Sequence, residues 1–443
     1  MEFIALVIKD IFGVVYAPHK TFKKIATNPK YLAIVIILAL FVSLQIVYNY
    51  DYSLKVYYEQ TVPPIGRLNG LDQLNHFVSA NSTHWITTSD TSVNVNSQDY
   101  INQTFYGNNS LQFVHSSSKS LLASLEQFGY TADCGADGFT TLSMSIKQLS
   151  SVAPSTGVLT LYTANGTSNY FSLDITSMLT TNLGQWSNLT IPVGTSEWQS
   201  IGAPVWSEVT GMQLNLTYPE SSNINILLQG VFFRGQYKTQ IDAFGTGTLI
   251  GLVTYSIILQ ALAQWILLSI VAYILIKALK APNVVWRNLF ASIGFTLMAL
   301  VIASLCYCLV SLTLPTVYYP YDLPYGVINY QALISATSPA TQVAYESIAQ
   351  ETSTYITLNI VVNIVQYVLQ GILITFAVKA ISSIPAIKNP LSSDAETSAA
   401  DTFETQNKIA TSELSYIKSI IVAVITVILA TFIMIFCQWL GIF

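Results

Sequence analysis

Polar and apolar positions along this chain follow two different periods. Five stretches are almost unbroken in apolar residues: 31–48, 244–276, 288–314, 355–378 and 417–440. Each is long enough to cross a bilayer, which takes about 20 apolar residues. None contains Asp, Glu or Arg, and their only Lys, Lys418, stands at an end. The second stretch exceeds a straight crossing, which predicts a tilt or an interfacial start at Gly245, Gly247 and Gly251. Residues 51–240 switch to alternation. Apolar side chains recur at every second position in Leu142/Met144/Ile146, Leu159/Leu161, Phe171/Leu173/Ile175, Leu189/Ile191/Val193, Met212/Leu214/Leu216/Tyr218 and Ile224/Ile226/Leu228. Turn signals at Asn165-Gly166, Val193-Gly194 and Pro219–Ser222 separate the runs. Short strands with one apolar face predict a two-sheet antiparallel sandwich over residues 105–240.

The flanks are less regular. Phe3, Ile4, Leu6, Val7, Ile8, Ile11, Phe12, Val14 and Val15, interrupted by Lys9 and Asp10, predict a helix too short to span. Residues 1–30 therefore read as an interfacial helix and a lead-in to the first crossing. Residues 49–104 read as a stalk or accessory strands. Residues 315–351, rich in Tyr and Pro, form an outer loop expected to pack against the sandwich. Residues 379–416 form a polar linker.

Composition and charge give the pattern a direction. The chain is 52% hydrophobic and 9% charged, against roughly 25% charged in soluble domains. Lys9, Lys20, Lys23, Lys24 and Lys30 precede the first crossing. Lys277, Lys280 and Arg287 lie between the second and third, and Lys379, Lys388, Lys408 and Lys418 between the fourth and fifth. Residues 315–351 hold no Lys or Arg. The positive-inside rule then predicts a cytoplasmic N-terminus, with residues 49–243 and the C-terminus outside the plasma membrane. All six N-x-S/T sequons fall in that outer insert, at Asn81, Asn102, Asn108, Asn165, Asn188 and Asn215, where covalent N-glycans would be added. The parity of Asn188 and Asn215 puts them opposite the apolar face. No small-residue cleavage site follows the first crossing, so it reads as a retained anchor. The insert carries 6 Lys plus Arg and 12 Asp plus Glu over residues 50–240. Such sparse charge suits an acidic medium and an acid-living archaeon.

Two resemblances add to this reading. Trp186-Ser-Asn-Leu-Thr-Ile-Pro-Val, Trp206-Ser-Glu-Val-Thr-Gly-Met-Gln-Leu-Asn-Leu and Ile226-Leu-Leu-Gln-Gly-Val-Phe-Phe-Arg-Gly resemble the closing strands of galactose-binding-like jelly rolls, a fold shared by many carbohydrate-binding modules. The resemblance covers about residues 105–237. Such modules often place a calcium-holding Asp on the last strand, where this chain has Gln229. The run 17–29, through Pro18, Thr21, Phe22, Ile25 and Pro29, resembles the lead-in of the Yip-one domain family. That resemblance covers residues 10–50 and 245–443 and implies five membrane helices with the N-terminus cytoplasmic. The long insert after the first crossing departs from the family's short loop. The expected fold class is thus an α-helical polytopic membrane bundle of five transmembrane helices. An all-β extracellular sandwich, a jelly roll, is inserted between helices 1 and 2.

Chemistry is sparse. His19, His76, His84 and His115 show no zinc-ligand spacing. There is no nucleophile elbow, phosphate-cradling loop or basic stripe, which argues against an enzyme, a metal site, a cofactor and a nucleic-acid partner. Cys134 stands alone in the outer insert, so no disulfide forms within it. Trp186, Trp198, Trp206 and Tyr170 are the candidate platforms for stacking a glycan; the competing reading places these rings in the core. Asn359, Asn363, Gln366 and Gln370 fall on one helix face, and Gln260 and Gln264 are one turn apart. Amides in lipid pair across helices, so the stripe is inter-helix glue or a polar path for a small solute. These features predict a non-enzymatic surface protein that binds an envelope glycan or a membrane-protein partner, with an accessory subunit of a larger complex or a small-solute permease as the alternatives.

Overall fold

The computed structural model describes residues 2–63, 85–101, 109–164, 166–179, 183–279, 284–321, 323, 339–384 and 414–439. The chain forms two compact units. One comprises Met1–Lys55, Gln240–Thr316 and Gln350–Phe443; the other comprises Val56–Thr239 and Val317–Ala349.

The first unit is helical. Among the described residues, five helices are long and apolar enough to cross a membrane: Tyr31–Lys55, Thr246–Ala278, Trp286–Ser311, Ser353–Ser382 and Tyr416–Cys437. We label Glu2–Tyr16 α1, Pro18–Thr27 α2 and Tyr31–Lys55 α3. Thr246–Ala278 is α4, Trp286–Thr296 and Met298–Ser311 are α5 and α6, Ser353–Ser382 is α7, and Tyr416–Trp439 is α8. The continuous α5–α6 rod is the central helix, with 67% of its apolar window buried against 17–28% for the other four. Those four turn their largest apolar side chains outward, as with Leu252, Tyr255, Ile266 and Ile274 on α4. Apolar residues on the outside suit lipid, not water. The rod breaks at Leu297, whose N–H reaches Gly294 O. Gly294 is required where Ile34 of α3 packs against the α5 backbone, because a Cβ there would lie 2.5 Å from Ile34 Cδ1.

α1 is amphipathic in a distinctive sense. Val7, Ile11 and Val14 are buried with Phe22 and Ile25 of α2, while Ile8, Phe12, Val15 and Tyr16 are exposed. Asp10 is the buried polar exception. Its carboxylate accepts from Lys24 Nζ at 2.5 Å and Lys30 Nζ at 2.7 Å. Polar contacts at this end of the bundle include Asn288 Nδ2 to Ala26 O and Tyr31 Oη to Arg287 O.

The second unit is a large antiparallel sheet folded into two layers. Its strands are β1 Val56–Val62, β2 Ile86–Thr87, β3 Thr91–Asn96, β4 Ser110–Leu125, β5 Thr141–Gln148 and β6 Thr156–Thr163. They continue as β7 Gly166–Asp174, β8 Trp186–Pro192, β9 Gln199–Ile201, β10 Val209–Thr239 and β11 Val317–Tyr319. β4 and β10 run side by side through both layers. The first half of β10 pairs with β6 and its second half with β5, while β4 follows it from Met212 to Leu228. The corner lies where the β4–β10 register shifts between Thr217 and Ser222 and Ser117 takes a φ of 52°. Pro219–Ser222, expected as a turn, is this bend within one continuous strand. Bends of this kind let strands switch sheets. Every apolar residue of the alternating runs in 142–228 lies in or against one core.

The unit begins at Val56, earlier than the expected sandwich start at 105, because β1 pairs with β10. β11, from the outer loop, pairs in parallel with the other edge of β1. The buried Glu59 joins these pieces, accepting from Gly235 N at 2.9 Å and Tyr321 N at 3.0 Å.

Candidate functional site

The two layers expose different outer faces. On the layer containing β5 and β8, the segment 97–101 covers the outside. Asp99 binds Lys147 Nζ at 2.6 Å and accepts from Trp186 Nε1 at 3.0 Å. Ile101 N donates to Gln229 Oε1 at 2.7 Å, and Gln229 Nε2 reaches Ile101 O at 3.4 Å. Ser143, Ser145 and Gln229 are fully buried beneath. Gln229 thus stands where a calcium-holding Asp would be, and its neutral amide serves both backbone groups of Ile101. This donor set does not fit a calcium ion. Among the described residues, no group of three or more His, Cys, Asp or Glu could hold a metal.

The opposite layer, ordered β2–β4–β10–β6–β7–β9, presents an outer face of different chemistry. The register places Ser124, Gln213, Thr160, Ser172 and Gln199 in one row across it. A neighbouring row runs Gly211, Tyr162, Tyr170 and Ile201. Tyr162 and Tyr170 meet edge to face, with centroids 6.3 Å apart. Tyr162 Oη donates to Gln213 Oε1 at 2.6 Å. Beside Tyr162 the face deepens into a groove of about 650 Å³ whose walls include Glu126, Gln127, Tyr130, Thr131, Thr167 and Thr210. Tyr130 is stacked on the buried Phe128 at 5.4 Å, which holds its ring in place. Burial raises the pKa of both phenols, aided at Tyr162 by the nearby Glu126 carboxylate and at Tyr130 by Cys134. Both rings therefore keep their O–H. The groove offers neutral hydroxyls, amides, one carboxylate and two aromatic rings, with no cation among its described lining residues.

The aromatic residues singled out from the sequence are dispersed. Trp198 is buried, with its N–H donating to Pro192 O at 2.8 Å. Trp206 stacks on Phe171 at 3.7 Å and meets Trp198 edge to face at 5.6 Å, so both cap the core. Trp186 is half-buried on the covered layer, held by Asp99. Only Tyr170 lies on the open face. Tyr162 was missed, although its parity with Tyr170 across the Asn165-Gly166 turn points it outward. Tyr130 follows a glycine outside any strand, where parity gives no signal. Asn188 is exposed and Asn215 half-exposed beside Gln213. Asn81, Asn102, Asn108 and Asn165 lie outside the described residues. The Cys134 thiol is buried, and burial together with the Asp133 carboxylate pushes its pKa up, which makes it inert.

The intramembrane stripe divides in two. Asn363 Oδ1 accepts from Tyr307 of α6 at 2.7 Å, and its own amide donates to Asn359 O. Gln370 accepts from Gln264 of α4 at 3.4 Å, and Gln260 reaches only Ser256 of its own helix, also at 3.4 Å.

No family model matches the chain, and no curated protein matches it. Solved structures give distant likenesses. The family 11 carbohydrate-binding module from Clostridium thermocellum, in complex with a β-1,3-1,4-mixed-linked tetrasaccharide, has a TM-score of 0.25 and 12% identity, covering 34% of this chain and 89% of that chain. A family 30 carbohydrate-binding module has a TM-score of 0.25 and 13% identity, covering 34% of this chain and 76% of that one. A β-1,2-glucanase from Parabacteroides distasonis has a TM-score of 0.26 and 18% identity; it is matched over 34% of this chain and 22% of its own length.

Proposed function

We propose that this is a multi-pass membrane protein whose β-sheet unit faces the cell exterior and binds a neutral saccharide in the groove beside Tyr162. One observation carries the reading: two positioned tyrosine rings, Tyr130 and Tyr162, share a groove with amides and hydroxyls and with no cation among its described lining residues. A pyranose ring stacks its C–H face on a flat aromatic, while side chains of this kind bind its hydroxyls. Lipid surrounds the five apolar helices. The lysine distribution and the sequons support an outer location for the β-sheet unit, and the pairing of β1 with β11 supports one common side for residues 56–239 and 317–319. A glycosylated, non-enzymatic surface role follows. The Yip-one-like lead-in at residues 17–29 supports a cytoplasmic N-terminus, with α1 lying on that leaflet. A neighbouring membrane protein remains the second partner class, docking on the outward apolar faces of α4 or α8.

The test is binding of the intact protein, in nanodiscs, to an array of neutral oligosaccharides. Tyr130→Ala should weaken binding by about tenfold, the loss of one stacking ring at roughly 1.5 kcal/mol, measured at a temperature where the variant, less stable for losing its packing on Phe128, is still fully folded. Trp198→Phe should bind normally. Equal binding by wild type and Tyr130→Ala removes the groove as the site.

A further inference from the structure

We infer that a second binding site, for a small uncharged solute bearing several hydrogen-bonding groups, lies within the helical unit, among the middle turns of α3, α4, α7 and α8. A cavity of about 190 Å³ opens there between Gln260 and Gln264 of α4, Gln366 of α7, Thr431 and Met434 of α8, and Phe41 of α3. A water molecule takes roughly 30 Å³ of liquid, so the space suits a few waters or one small organic molecule.

Side-chain amides in a bilayer must find partners, and glue between helices should show them paired across the gap. Here they are not. The contact between Gln264 Nε2 and Gln370 Oε1 is long, at 3.4 Å, and Gln260 bonds only within its own helix, at the same distance. These exceed the usual 2.7–3.2 Å range for N–H···O bonds. Gln370 is 1% exposed, yet its Nε2 has no partner. Gln366 lines the cavity and makes no hydrogen bond with any described residue. The cavity wall thus carries three amides, Gln260, Gln264 and Gln366, that are weakly bonded or unbonded among the described residues, with the underpaired Gln370 next to Gln264.

The wall defines the occupant. Amides donate and accept, Thr431 adds a hydroxyl, and Phe41 with Met434 supplies an apolar side. No charged residue lines the cavity, so an ion would enter lipid without a counter-charge. A neutral polyol or amide meets every group. This inference stands whether or not the sheet groove binds sugar.

Glycerol is the probe, with the full-length protein in proteoliposomes. If the amides are unpaired, Gln366→Leu should leave the thermal midpoint unchanged or raised, and it should remove the part of the glycerol-induced shift that exceeds the general cosolvent effect. A clear drop in midpoint with the glycerol shift retained would mean structural glue and overturn the site. An independent reading uses a cysteine-free background. Gln366→Cys should react with a water-soluble methanethiosulfonate at least tenfold faster than the outward-facing Ile364→Cys, and glycerol should slow it. Equal rates, or rates indifferent to glycerol, would overturn the proposal.

Discussion

Asp10 lies in an amphipathic helix with its side chain only 5% exposed, between Lys24 and Lys30. Burial alone would raise its pKa. The two ammonium groups outweigh that term and hold the carboxyl below its ordinary value of 3.8. A folded-state pKa below the unfolded value means stability that is fully present above pH 3.8 and lost as pH falls through the lowered value. Asp10→Asn should therefore cost about 2 kcal/mol near pH 7, where hydrogen bonds to charged groups are worth 1.5–3. The gap between mutant and wild type should close progressively below about pH 4. Thermal unfolding at pH 7 and pH 3 in lipid checks both limbs.

At the scale of the element, close packing of α3 on the central helix depends on one missing side chain. Ile34 is fully buried and occupies the space that a Cβ at Gly294 would need. Gly294→Val should destabilise the bundle by about 2 kcal/mol through overpacking. Ile34→Ala in the same chain should restore part of that loss, and a double-mutant cycle by thermal unfolding measures the coupling. Such elements were readable in advance where one rule dominates. Uninterrupted apolar runs placed the five long helices within a few residues, apart from α3, which continues through its polar end to Lys55. Period two put Leu142, Met144, Ile146, Leu214 and Leu216 on inward faces, since one buried side leaves a strand no other phase. What escaped depends on contacts distant in sequence. The β4–β10 corner replaces an apparent turn at Pro219–Ser222, because pairing with β4 keeps both flanks extended. Tryptophan left two readings open, a surface platform or a core ring, and Trp198 takes the second, with a carbonyl for its N–H. The groove is built from residues that carry no motif, Tyr130 and Gln127 among them.

For the whole molecule, scarcity of charge is a shared design of both units. Among its described residues the helical unit has ion pairs at Asp10, with Lys24 and Lys30, and at Asp51–Lys55. The sheet unit has one ion pair among its described residues, Asp99–Lys147. Its stability comes from a single apolar core and from hydrogen bonds, the buried Glu59 carboxyl group accepting from backbone N–H groups among them. Exposed ion pairs contribute little and are screened by salt. Folding of the sheet unit should accordingly be insensitive to ionic strength: its thermal midpoint should move by less than a few degrees between 0.05 and 1 M NaCl, after correction for the general salting effect.

The parallel contact of Val56 with Val317 also sets a schedule for biogenesis. The ribosome delivers β1 early, but β11 emerges only after α4, α5 and α6 have been made. Until then one margin of the sheet is a raw edge, able to recruit strands from other chains. A chain whose β11 fails to reach β1 would keep that margin open to aggregation.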